Sequence, residues 1–146
     1  MKLALALMTA TATALAACAA PYASAPREPL PMSLAAAPPP GTALASGECF
    51  RTSDIEDHRI ADPRTLLLRV RRNDVYRVGM SGNCLAGALS SDPLLMRSPP
   101  GATIACRPLE LDIGVIKNNF TSPCLVDSIV KLTPDQVASL PPRLRP

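Results

Sequence analysis

Tryptophan is absent, two tyrosines and two phenylalanines bring aromatic residues to 3% of the 146-residue chain, and there is a single histidine, His58. With so few flat rings there is no platform on which bases, sugars or single strands could stack. No Cys-x-x-Cys pair occurs, the intervals between cysteines are tens of residues, and one histidine completes no zinc set. No metal and no cofactor are therefore expected. A G-x-S-x-G elbow is missing too, so nothing marks an activated serine. Charge is also scarce: 15 Lys and Arg against 12 Asp and Glu give +3, and +2 without Lys2. That is too weak a field to make nucleic acid a partner. Length leaves room for one domain, since a domain takes roughly 100–200 residues.

What is present begins at the N-terminus. Lys2 is a minimal positive region, Leu3 to Leu15 is uncharged and apolar, and Ala16-Ala17 are the small residues that cleavage by a signal peptidase requires. The alternative is a membrane-spanning helix, because Leu3 to Ala20 approaches the lower limit for crossing about 30 Å of hydrocarbon. Leu15-Ala16-Ala17-Cys18 resembles the lipobox of bacterial lipoproteins at all four positions. The resemblance implies that residues 1–17 are a lipoprotein signal peptide, that Cys18 carries the lipid, and that the chain is cut just before it. Ala19 follows where that family's inner-membrane retention signal would place Asp, which implies the outer membrane. The expected location is thus lipid-anchored at the outer membrane and facing the periplasm.

Residues 18–47 read as the lipidated cysteine followed by a tether: positions 19 to 47 hold seven prolines among Ala, Ser and Gly, with no apolar periodicity. Such a composition gives a semi-stiff spacer, and a Pro-rich docking peptide is the alternative. The domain is expected over 48–146. In "TLLLRVRRNDVYRVGM", Leu66, Leu68 and Val70 share one face, Arg72-Asn73-Asp74 provide a turn, and Tyr76, Val78 and Met80 share a face again, so a β-hairpin is predicted. Period-two alternation also places Ala102, Ile104 and Cys106 on one side. It puts Leu109, Leu111 and Ile113 opposite Glu110 and Asp112, and Cys124, Val126 and Val130 opposite Asp127 and Lys131. "CFRTSDIEDHRIADP" alternates poorly and is expected as an edge strand ended by Asp62-Pro63, while "SSDPLLMRSPPGA" and "KNNFTSP" are expected as loops. Thr133-Pro134-Asp135-Gln136 is a capping box opening a short helix. The predicted fold is mostly β: a small antiparallel sheet or open barrel-like domain of about five or six strands, with a short C-terminal helical turn.

So small a core needs staples. Removing Cys18 to the lipid leaves Cys49, Cys84, Cys106 and Cys124, an even set in an exported chain, for which two disulfides in one of three connectivities are expected. The favoured pairs are Cys84–Cys106, closing the Pro/Gly/Ser-rich loop, and Cys49–Cys124, tying the first strand to the last. The order of Cys49, the charged stretch with Asp62-Pro63-Arg64-Thr65-Leu66, the strand with Tyr76-Arg77, Cys84, Cys106 and a late Cys124 resembles a family of small Gram-negative exported proteins of unknown function, over about residues 48 to 132. That resemblance implies no activity.

His58, among Asp54, Glu56, Asp57 and Arg59, is the one candidate acid or base, and the charged strand reads equally as surface pairing that protects an edge. Arginines 51, 59, 64, 69, 71, 72 and 77 crowd one region, but five interleaved acids make it a mixed surface. The expectation is a non-enzymatic binding or structural module of the cell envelope. Its partners would be the membrane, through the N-terminal lipid, and an envelope protein. The alternative is a periplasmic enzyme or a redox or metal-binding protein using His58 or the cysteines.

Overall fold

The computed structural model describes residues 29–31, 34, 36–97, 99, 103–117 and 120–146. Cys18 and the export segment lie outside the described residues, as does Ala102. Among the described residues no helix is long and apolar enough to cross a membrane. The strands are β1 (Phe50–Arg51), β2 (Ile55–Asp62), β3 (Thr65–Val70), β4 (Asp74–Met80), β5 (Leu94–Arg97), β6 (Ile104–Ala105), β7 (Asp112–Lys117) and β8 (Phe120–Lys131), followed by the helix α1 (Pro134–Ser139). Six of them form one antiparallel sheet in the order β2-β3-β4-β8-β7-β5, curved into a half-barrel, and β1 pairs with β6 apart from it.

The hairpin forms where alternation predicts it, with Leu68 opposite Tyr76 and Leu66 opposite Val78. Those residues, with Val70, Met80, Ile113, Val115, Val126 and Ile129, fill the concave side. Leu67 points the other way and is equally buried, because the convex face of β3 and β4 is covered as well. Leu140 and Leu144 from the C-terminal segment and Leu34 from the N-terminal one close over Leu67, Val75 and Leu132. Fully burying each such side chain contributes about 1.5–3 kcal/mol, and three successive buried leucines are the consequence of a strand with cover on both sides. The capping box is complete: Thr133 Oγ1 accepts from the Gln136 amide at 3.3 Å, and Gln136 Oε1 accepts from the Thr133 amide at 2.9 Å.

Several expectations are corrected. "SSDPLLMRSPPGA" is not all loop, since Leu94–Arg97 pairs with β7 and sends Leu94 and Met96 to the core. "KNNFTSP" is not all loop, since strand pairing includes Lys117 and reaches from Phe120 to Pro123. At β6 the phase is reversed: Ala105 is buried and Ile104 is exposed. Leu109 is exposed in a 3-10 turn, Pro108–Glu110, while Leu111 and Ile113 are buried as expected. In β8, Cys124 and Val126 face the core, but the next core residue is Ile129 and not Val130. A bulge opposite Gly79 and Met80 skips Asp127 and shifts the phase by one. Gly79 is required there, because a β-carbon would collide with the Ser128 hydroxyl.

The segment expected as a semi-stiff spacer up to residue 47 is partly folded against the sheet over its described residues. Gly41 N–H donates to the Asp127 carbonyl, Ile129 N–H to that of Thr42 and Leu44 N–H to that of Cys106, while Arg77 Nη1 donates to the Ala36 carbonyl. These bonds lie on the backbone, which composition does not report.

Both disulfides form, with a different connectivity: Cys49–Cys106 and Cys84–Cys124. The favoured Cys49–Cys124 and Cys84–Cys106 pairs are overturned because the first strand pairs with β6 and not with the last strand. Phe50 lies opposite Ala105, which sets Cys49 beside Cys106 with a Cα separation of 4.6 Å. Ser81 N–H donates to the Leu125 carbonyl, which brings the chain after β4 alongside Cys124.

Candidate functional site

Two places gather polar side chains, and the first is the seam between the edge strands. β2 and β5 are the outer strands of the half-barrel, and a cleft of about 530 Å³ lies between Ile55–His58 on one side and Pro93–Met96 on the other. Edge strands offer unpaired backbone groups to any passing strand, and β2 disarms its own. The Asp57 carboxylate accepts from the His58 amide at 2.7 Å and from Arg59 Nη1 at 2.8 Å, and the same Nη1 donates to the His58 carbonyl. Ser90 Oγ accepts from the Ile60 amide at 2.9 Å. The surface pairing expected of this charged strand is thus present between Asp57 and Arg59.

His58 shares the face of Leu68 and is half-buried. Nε2 is buried with no protein partner, and burial pushes the pKa of His58 below the usual 6.5 against the opposing influence of Asp57 and Asp92. Among the described residues no cluster of three or more His, Cys, Asp and Glu is placed to hold a metal ion. The four domain cysteines are all joined in disulfides and bring no thiol to His58.

The second place is a cavity of about 710 Å³ on the convex side, between the β3–β4 turn and α1. Its floor is apolar, formed by Val75, Leu132, Pro134, Val137 and Ala138, and Arg69, Arg72 and Arg145 stand at its rim, while Lys131 and Asp74 line it from positions whose side chains share the face of Tyr76. The turn owes its shape to Arg71, which holds a left-handed φ of 53° and is tied to the Asp54 carboxylate through Nε at 3.0 Å and Nη2 at 2.9 Å. With Arg71 so occupied, Arg72 is exposed and makes no ion pair or hydrogen bond among the described residues. Lys131 Nζ lies 2.9 Å from Asp74 Oδ1, a contact that raises the lysine pKa and keeps the ammonium charged. Arg145 donates through Nε to the Leu140 carbonyl and through Nη2 to that of Ala138. Arg69 Nε forms an ion pair with the Glu56 carboxylate at 3.8 Å, too far for a hydrogen bond, and this buried atom has no hydrogen-bond partner.

The arginine cluster legible in the sequence is therefore divided by the fold. Arg59 and Arg71 are neutralised by Asp57 and Asp54, Arg77 is buried against the N-terminal segment, and Arg69 and Arg72 face the cavity. Arg145 completes the rim from more than seventy positions along the chain, a convergence that no local pattern signals. Ligand sites of this kind pair an apolar body with a few polar groups, and here the polar groups are cations.

No curated protein and no solved structure matches the chain. A family model, described as a family of unknown function (DUF6491), matches residues 1–145, and the chain belongs to that family.

Proposed function

We propose that the protein is a lipoprotein anchored through Cys18 at the outer membrane, facing the periplasm, and that its domain is a non-enzymatic binding module for an anionic ligand with an apolar body. The observation that carries the binding reading is the convex cavity, whose cationic rim and apolar floor suit an anion on an apolar body. The anchor reading rests on Leu15-Ala16-Ala17-Cys18, and the two disulfides are in keeping with an oxidising, exported location. Three acyl chains would hold a domain far more firmly than the marginal binding of a single chain.

The test replaces Cys18 by Ser. Expected is an uncleaved, unacylated precursor missing from the outer-membrane fraction; a variant still processed at the same bond and still membrane-bound would refute the anchor. Thiol titration of the periplasmic protein separates the binding module from a cysteine-based redox protein, since the former shows no free thiol among Cys49, Cys84, Cys106 and Cys124.

A further inference from the structure

The cationic cavity and the incoming N-terminal segment share one face of the domain. Leu30 and Leu34 pack into the cluster that contains Val75 and Leu132, and Val137 packs against the same cluster, so the chain arrives beside the floor of the cavity. Eleven peptide units separate Cys18 from Pro29, a reach of at most about 40 Å at full extension. On the anchored reading proposed above, this face is held within that distance of the leaflet bearing the lipid.

The rim discriminates among its cations. Lys131 is engaged by Asp74 on the face of Tyr76, and Arg145 by backbone carbonyls, so neither offers free donors to the cavity. Arg72 makes no ion pair or hydrogen bond among the described residues, and Arg69 makes only the 3.8 Å ion pair of its buried Nε with Glu56. Two guanidinium groups with donors to spare, above a floor of valine, leucine and proline, match a phosphate carried on an apolar body. We propose that the cavity seats the phosphodiester headgroup of an anionic phospholipid from the leaflet that holds the protein's own anchor. The phosphate lies against Arg69 and Arg72, and the glycerol and first acyl carbons lie over Val75, Leu132 and Val137. Lipid anchor and headgroup contact would then act as two signals that together fix the orientation of the domain at the membrane.

The experiment uses the acylated full-length protein in nanodiscs of phosphatidylcholine, with and without phosphatidylglycerol, and follows amide hydrogen exchange at Arg72–Val75 and Lys131–Ala138. Exchange in both segments should slow only when phosphatidylglycerol is present. Arg72→Glu should abolish the slowing and Arg69→Gln should weaken the response about fivefold, the effect of one cation near an anionic surface, while both variants stay on the discs through their lipid. Unchanged exchange with phosphatidylglycerol would overturn the site. Equal slowing by inorganic phosphate added to phosphatidylcholine discs would overturn the lipid as its source. Failure of the wild-type protein to enter either disc would refute the anchor instead, and titration with monomeric dihexanoylphosphatidylglycerol, read at the same amides, then decides the cavity by itself.

Discussion

His58 faces the core side of an edge strand, and the cost of burying its charged form outweighs the attraction of Asp57 and Asp92. The folded chain therefore binds the proton less readily than the unfolded one, whose imidazole titrates near 6.5. Above that value neither state is protonated at this site and His58 adds no pH dependence; as pH falls from 6.5 towards the lowered folded value, the unfolded state gains protons first and stability declines. Glu110 acts lower on the scale. Amides of Cys106 and Arg107 and the Arg107 side chain hold its carboxylate below the usual 4.5, so its contribution is present above that value and lost as pH falls through the folded one. Urea midpoints measured from pH 7.5 to 5 should fall in the wild type, and His58→Gln should flatten that decline while leaving the acid-range loss in place. An unchanged slope in the variant would mean that another group drives it. The sequence showed His58 inside a charged strand and suggested a solvated one. What it did not show is that the strand's inner face closes over the core, since His58 stands opposite Leu68 only once the register is set by two bulges.

At the level of elements, legibility follows how local the determinant is. The β3–β4 hairpin and the cap of α1 depend on residues within a few positions of one another, and both were readable. β5 was not, because "LLMR" lies among prolines and serines and becomes a strand only by completing the edge of β7. The phase of β8 was misread after Val126 because its bulge is imposed by pairing with β4, a partner some fifty residues earlier. The cap also makes a prediction. α1 has six residues, too few to persist alone, so it is held by Thr133, Gln136 and the packing of Val137 on the convex cluster. Thr133→Ala should lower the stability of the domain by about 0.5–2 kcal/mol, with Thr133→Ser close to wild type. Denaturant unfolding reads both, and equal midpoints for the alanine and the wild-type chain would show that packing alone holds the helix.

Across the whole molecule the disulfides cross: the loop closed by Cys49–Cys106 overlaps the one closed by Cys84–Cys124. Four cysteines admitted three arrangements, and the sequence could not choose because the choice depends on β1 and β6, strands of two residues each with no pattern to detect. The N-terminal segment escaped for a related reason, being fixed by backbone hydrogen bonds from Gly41 and Leu44 and to Thr42 instead of by an apolar repeat. In the nested arrangement expected from the sequence, loop length ranked the two pairs. In the observed one the separations are 57 and 40 residues, and the chain-entropy term differs by only about 0.3 kcal/mol. Burial then decides. Cys124 lies on the core side of β8, 3% exposed, and belongs to the main cluster, with Cys84 packed against it, whereas Cys49 and Cys106 are half-buried beside the short β1–β6 pair. Removing the inner pair deletes core volume as well as a cross-link, and a cavity adds its own cost. Each double replacement by alanine should therefore lower stability by about 2–4 kcal/mol, with Cys84→Ala/Cys124→Ala more damaging than Cys49→Ala/Cys106→Ala. Denaturant unfolding of the two variants tests the order, and an equal or greater loss from the outer pair would overturn it. A peptide map of the unreduced protein tests the arrangement itself: fragments joining Cys49 to Cys106 and Cys84 to Cys124 are expected, and one joining Cys49 to Cys124 would restore the nested pairing and remove the physical basis for the order.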